Sequence, residues 1–354
     1  MTEDAVTEEA VTEAAFALIE DAKERTDAAF RAAVARLPSP AYRMAAYGIG
    51  WSDPEGVPHR PHTSGKGMRL ALALASAHAC GGRPEDGVST AVAVELVHNY
   101  SLYQDDAADN DPQRRGRPAA WRVWGKPIAW LVGEAMLNLA FRTLAQDPRL
   151  AGTDAVAYLG ESAQRMIVDG QLADLVNDAR VIGLDDARAM ATAKCYMFTP
   201  PCWIGALAAG ADAGTVRLMR QFGEGLSCAY QHLNDYEGMW SRRQDSLLEP
   251  LLDLRARKRS LPVVYALNRG GPAAARLDAY LRAEHVPDET ELAELAHILE
   301  EAGARQWLLA TVESLIEGCL KCLADAPLTE PGRTQLELLT RYFVRGLVPD
   351  FPVL

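Results

Sequence analysis

The residues most directly suited to chemistry are Asp105-Asp106-Ala107-Ala108-Asp109, followed by Arg114-Arg115-Gly116. On a helix, Asp105 and Asp109 stand one turn apart on one face, with Asp106 nearby. Carboxylates gathered in this way repel one another unless a cation lies among them. Mg²⁺ suits the set, because it is a hard ion that takes oxygen ligands and shares them with substrate phosphates. The two arginines supply planar forks that match phosphate oxygens. The acid cluster and the arginine pair together read as a metal–diphosphate site.

A second acidic and polar group occurs at Gln231-His232-Leu233-Asn234-Asp235-Tyr236-Glu237-Gly238. Gln231, Asn234 and Asp235 fall at i, i+3 and i+4, one face of a helix, and such a face can meet the Asp105 face across a bundle interior with metal between them. Upstream lie Gly170-Gln171-Leu172-Ala173-Asp174 and then Lys194, set among apolar residues. A lysine in such surroundings needs an anionic partner, and a substrate phosphate serves.

The elements that must position these groups are helical. Apolar residues recur at three- and four-residue spacing, and alternating strand patterns are scarce. The pattern predicts helices over 10–36, 66–81, 86–109, 119–145, 150–178, 185–210, 213–240, 257–269, 273–284, 290–325 and 330–346. Proline and glycine mark the joints at Pro38/Pro40, Gly81/Gly82, Pro112, Gly183, Gly270/Gly271 and Pro287. Ala91-Val92-Ala93-Val94 is apolar all round and belongs inside a bundle. The stretch from Gly238 to Asp253 breaks the pattern and reads as a lid or active-site loop, or equally as a surface connection. No linker or repeat divides the 354 residues, so one all-α domain over 1–354 is expected, with an acidic, disordered N-terminus over about 1–12.

A net charge of −12 argues against nucleic acid or an anionic membrane as partner, since both demand basic surface. No apolar run reaches spanning length and the N-terminus is acidic rather than signal-like, so a cytoplasmic protein is expected. The six cysteines do not form a disulfide framework in a chain of this length. Cys319-Leu-Lys-Cys322 has no second ligand pair and reads as helix packing.

In this order, the motifs resemble those of the trans-isoprenyl diphosphate synthases, the polyprenyl synthetase family that includes farnesyl and geranylgeranyl diphosphate synthases. The resemblance runs from about Ser64 to Leu267, and more faintly to Arg345. Ser64-Gly65-Lys66-Gly67-Met68-Arg69 is similar to the family's Gly-Gly-Lys-Arg-x-Arg-Pro. Glu95 to Leu102 leads into Asp105 as the family's helix does, and Gly170-Gln171, Asp174, Lys194, Asp253-Leu254 and Lys258 to Pro262 match in turn.

The resemblance implies an isoprenoid-synthase-type helical bundle with a central active-site cavity. It implies that Asp105, Asp106 and Asp109, with Asn234 and Asp235 opposite, hold Mg²⁺ against the diphosphate of an allylic substrate. Arg114, Lys194 and Lys258 would neutralise that diphosphate, with Gln171 and Gln231 nearby. Lys66, Arg69, His98 and Arg115 would bind the second substrate, isopentenyl diphosphate in the family. Tyr100 would floor the prenyl pocket and favour C15 or C20 products, while Tyr103 and Trp124 serve packing. A homodimer is expected by the same resemblance.

The second motif departs from the family. Where the family carries Asp-Asp-x-x-Asp, the chain carries Asn234-Asp235-Tyr236-Glu237-Gly238. Glu237 lies about 200° around the helix from Asp235 and is a poor substitute. Glu249 stands where a lysine is expected, and Gly67 and Leu70 replace an arginine and a proline. Elongation with isopentenyl diphosphate is the default reading, supported by Lys66, Arg69, His98 and Arg115. Prenyl transfer to an aromatic acceptor such as an indole phosphate is the alternative, because the indole-diterpene prenyltransferases resemble this chain in having Asn-Asp here. A class I terpene cyclase fits less well: Gly238 and Arg242 stand where it needs Ser/Thr and Glu. A non-catalytic partner subunit is the remaining reading.

Overall fold

A computed structural model describes residues 8–58, 67–177, 182–240 and 251–345, which are almost entirely helical and group into two compact units. Lys66, Glu249 and most of the 238–253 stretch lie outside the described residues.

The first unit draws on Met1–Ala163, Met197–Gly223 and Cys322–Leu339. Its opening helix, Glu8–Val34, begins inside the stretch expected to be disordered. Val11, Ala15, Ile19, Ala22, Thr26, Phe30 and Ala33 are buried along it, the three- and four-residue recurrence of one apolar face. At the centre runs Val88–Ala108, packed on Lys126–Ala145, Met68–Ala79 and Glu8–Val34. Ala91, Val92, Ala93 and Val94 are all buried there, as a helix apolar on every side requires. Burying each such valine fully contributes about 1.5–3 kcal/mol.

Several predicted helices are interrupted, each for a local reason. Gly125, at φ 86°, separates Ala120–Trp124 from Lys126–Ala145. Pro200 and Pro201 start the helix Thr199–Ala208 afresh after Leu184–Lys194 ends, because proline is accepted in a first helical turn and not further in. Gly303 likewise divides 290–325. A helix absent from the sequence reading, Ser39–Ile49, uses Pro40 in its first turn, where a joint was expected. A two-stranded hairpin, Gln113–Arg114 against Arg117–Pro118, follows the central helix.

Lys126–Ala145, with a mean hydropathy of 1.2, is long and apolar enough to cross a membrane by length and composition alone, contrary to the sequence expectation. In the first unit it packs along Val88–Ala108.

The second unit draws on Gln164–Tyr196, Glu224–Lys321 and Thr340–Leu354. Its core gathers Met239, Leu254, Val263, Leu277, Tyr280, Leu292, Leu295 and Leu299. The Tyr280 hydroxyl donates to the Leu254 carbonyl at 2.7 Å and so ties down the short helix Leu252–Arg255. The segment Arg165–Leu172 is π-helical, a wider winding that is rare and often found where function demands an altered side-chain direction.

Candidate active site

Each unit carries one half of the predicted constellation. In the first, the central helix delivers His98, Tyr100, Asp105 and Asp106, and Asp109 caps its C-terminus. That end carries the negative pole of the helix dipole, so carboxylates there raise the demand for a cation. The hairpin delivers the arginines. Arg115 and Gly116 are its two central residues, with φ of 54° and 73°, the type I′ pattern that matches the twist of a two-residue hairpin.

The three carboxylates do not share one role. Asp105 is half-buried and Asp109 exposed, while Asp106 is buried and accepts from Arg114 Nε at 2.8 Å and from Arg114 Nη2. Burial pushes the Asp106 carboxyl above its ordinary value, against the pull of Arg114. Burial works against the Arg114 cation too, yet Asp106, Asp111 and Asp105 hold its pKa above the usual value. Among the described residues no three His, Cys, Asp or Glu side chains converge on one cation position. Asp105 and Asp109 still present hard oxygens one turn apart, which fits Mg²⁺ because that ion takes one or two carboxylates and fills its remaining positions with water and phosphate oxygens.

Three guanidinium charges act on His98. Burial first, then Arg69, Arg115 and Arg114, drive its imidazole well below the ordinary range, so it is neutral at pH 7 with one donor and one acceptor to offer. Burial also lowers the Arg115 pKa; Glu95 and Asp106 offset this in part, while Arg114 and Arg69 add to it. The Arg69 guanidinium lies 4.3 Å over the Phe198 ring, and its Nε is buried with no acceptor among the described residues. A buried guanidinium nitrogen left without an acceptor suits an anionic ligand.

Tyr100 is buried one turn before the acidic cluster, against the bare Cα of Gly133. Burial, with Glu134 and Asp105 nearby, pushes its phenol up to about 12. Tyr103 donates to the Met44 carbonyl at 2.6 Å and Trp124 meets the Tyr47 ring edge-on, so both are packing residues as expected.

In the second unit, Gly170 brings the π-helical segment so close to the helix Leu184–Lys194 that a Cβ on it would fall 2.8 Å from the Lys194 nitrogen. Half-buried Gln171 follows directly, and Lys194 ends its helix rather than lying within one. Ala213–Trp240 carries Gln231, Asn234 and Asp235. Asp235 is buried and accepts from Gln231 Nε2 at 2.5 Å and from the Leu261 amide at 2.7 Å. Burial, with Asp253 adding, pushes its carboxyl up to about 7, while Leu261, Gln231 and Lys194 pull the other way. Asn234 is half-buried and makes no side-chain hydrogen bond among the described residues. Lys258 is exposed, and its charge, with Ser260 and Lys194, partly offsets the burial that raises Asp253.

Two residues of this half were not singled out from the sequence as site residues. Asp253 packs its carboxylate against Gly238, where the second motif lacks a side chain, and Cys195 donates from Sγ to Gln231 Oε1 at 3.0 Å. Adjacency to Lys194 was the only sequence signal for Cys195. In the sequence, Asp253 belongs to the segment that resembles the family after the second motif, and nothing there gives it a role.

The sequence profile of the Polyprenyl synthetase family matches residues 57–299. The chain is 34% identical to a (2E,6E)-farnesyl diphosphate synthase of Mycobacterium bovis, across 85% of each protein. It is 33% identical to a geranylgeranyl diphosphate synthase of Mycobacterium tuberculosis, across 88% of this chain and 89% of that protein. Among solved structures, a polyprenyl synthetase from Streptomyces coelicolor A3(2) superposes with a TM-score of 0.87 at 35% identity, covering 93% of this chain and 99% of that one.

Proposed function

Because the chain belongs to the polyprenyl synthetase family, we propose that it is a prenyltransferase of terpenoid biosynthesis that ionises an allylic prenyl diphosphate in the C15–C20 range and couples the cation to isopentenyl diphosphate. The observation that carries this reading is the placement of Arg69 and Arg115 by His98, with the Arg69 Nε buried and lacking an acceptor among the described residues. A cyclase, which handles one diphosphate, has no use for that second cationic site.

Ionising the allylic C–O bond concentrates negative charge on the departing diphosphate. Groups that meet that charge lower the barrier only insofar as they bind it more tightly than the ground state. Lys194 and Lys258 take this role with Arg114, whose guanidinium is held in place by Asp106. Gln171 and Gln231 supply amide donors. Arg69, His98 and Arg115, with Lys66, hold the second diphosphate so that its alkene meets the cation. Tyr100 closes the deep end of the prenyl pocket. The new C–C bond forms as the alkene attacks, and the proton lost from the adjacent carbon passes to the released diphosphate.

Asp105 and Asp109 on one helix, and Asp235 with the neutral oxygen of Asn234 on the other, are the residues that would hold Mg²⁺. When bound, that ion supplies Lewis-acid stabilisation of the leaving diphosphate.

We also propose a cytoplasmic homodimer. All six cysteines carry free thiols. On Lys126–Ala145, Ile128, Trp130 and Leu131 leave a row of exposed apolar side chains, with Leu131 70% exposed, that a second copy would cover.

The test is incubation with Mg²⁺ and farnesyl diphosphate, alone, with isopentenyl diphosphate, and with indole-3-glycerol phosphate. Longer diphosphates from the second mixture are expected, with lengthening beyond that product in Tyr100→Ala. A prenylated indole, or hydrocarbon from the allylic substrate alone, would overturn the assignment of the acceptor.

A further inference from the structure

Cys195 sits in the non-helical step just after Lys194, and its amide donates to the Thr192 carbonyl at 3.2 Å. From there a chain of side-chain hydrogen bonds runs to the second acidic motif. Cys195 Sγ donates to Gln231 Oε1 at 3.0 Å, Gln231 Nε2 donates to Asp235 Oδ1 at 2.5 Å, and the Leu261 amide fixes Oδ2 at 2.7 Å. A primary amide has a donor end and an acceptor end. Turned around, Gln231 would set its carbonyl oxygen against a carboxylate oxygen, two acceptors facing each other. The thiol proton favours the orientation in which Nε2 serves Asp235.

We propose that Cys195 is a positioning residue for prenyl transfer: its S–H sets the Gln231 amide, and through that amide it pins the carboxylate of Asp235. The role matters here because the second motif carries a single helix-borne aspartate. With Asn234 and Gly238 in place of the other two carboxylates, no second aspartate of the motif shares the work of Asp235. The close approach of Gly170 to the Lys194 backbone locks the point from which the Cys195 side chain starts. Hydrogen bonds in such a chain reinforce one another, so their loss is expected to be non-additive.

The effect on turnover rests on the prenyl-transfer reading, whereas the relay itself does not, and the test separates the two. Cys195→Val, Cys195→Ala and Cys195→Ser are made in the full chain, each alone and combined with Gln231→Ala. Thermal unfolding reads the relay: Cys195→Val should lower the midpoint in the native background and change it far less once Gln231 is gone. Steady-state kinetics with farnesyl diphosphate, isopentenyl diphosphate and Mg²⁺ read its consequence. Cys195→Val and Cys195→Ala should lower kcat about tenfold with KM for isopentenyl diphosphate within about twofold, and Cys195→Ser should return kcat to within about threefold of the native rate. Should the valine variant fail to fold, the alanine and serine pair carries the same comparison. Additive midpoints, or a native kcat in both Cys195→Val and Cys195→Ala, overturn the proposal. Coupled midpoints with no turnover even in the native protein uphold the relay and overturn the prenyl-transfer reading instead.

Discussion

The carboxylate of Asp253 lies where a side chain at Gly238 would begin: a Cβ built on Gly238 falls 2.8 Å from Asp253 Oδ2 and 3.0 Å from Oδ1. The position that carries an acid in the resembling family is therefore bare in sequence yet acidic in space. Restoring the missing residue should harm the protein. Gly238→Asp adds both overpacking, at about 1–3 kcal/mol, and a like charge beside a buried carboxylate. Its thermal midpoint should fall and its turnover should drop about tenfold or more, with partial recovery in Gly238→Asp combined with Asp253→Gly. Steady-state kinetics on the two variants decide it. Higher turnover in the single variant would show that the second wall is simply incomplete.

Asp105 and Asp106 are neighbours in sequence with different duties, and their replacements should separate. Asp105→Ala removes a proposed metal ligand and should abolish measurable turnover, a loss of about 10³-fold, with little change in unfolding midpoint. Asp106→Ala strips Arg114 of its buried partner. It should cost about 1–3 kcal/mol of stability as well as activity, less than a fully buried pair would because Arg114 retains some solvent. Equal stability in the two variants would refute the division.

His232 is fully buried, with Nδ1 2.8 Å from the Cys228 carbonyl and no partner for Nε2 among the described residues. Burial pulls its imidazole down from 6.5 to about 4. The folded state therefore binds fewer protons than the unfolded one between these values. Stability tied to this group is fully present above about pH 6.5 and is lost as pH falls through about 4, by something on the order of 3 kcal/mol. Unfolding midpoints of the ligand-free protein from pH 4 to 8 should show a smaller acid loss in His232→Gln. Parallel curves would remove His232 as the cause.

Leu131, Trp130 and Ile128 give the proposed dimer a direct test. Leu131→Glu sets a charge in the middle of the exposed row and should weaken self-association at least about tenfold, read by sedimentation velocity across a dilution series. An unchanged dimer would place the interface elsewhere.

Much of the first half-site was legible in the sequence because its parts are local. Asp105, Asp106, Asp109, Arg114 and Arg115 fall within eleven residues, so helical geometry and charge suffice to bring them together. That Asp106 and Arg114 bind each other was not legible, since the hairpin that folds the arginine back is only two residues a strand and lies below the reach of periodicity. The second half-site was less readable. The approach of Asp253 to Gly238 depends on Tyr280 anchoring Leu254 from another helix, and the Cys195 bond to Gln231 spans 36 positions. Apart from Ser39–Ile49, the existence of the helices followed from apolar spacing, whereas breaks at Gly125, Pro200 and Gly303 depend on single residues that periodicity averages away.

Arg115 holds a left-handed backbone conformation that Asn or Gly would adopt with less strain, by about 1 kcal/mol. A library selected only for heat resistance should therefore drift toward Asn-Gly at this turn and discard a guanidinium from the cluster around His98. With the proposed role of Arg115 in binding the second diphosphate, thermostability and turnover select opposite residues at this hairpin, and screens of this scaffold must score both at once.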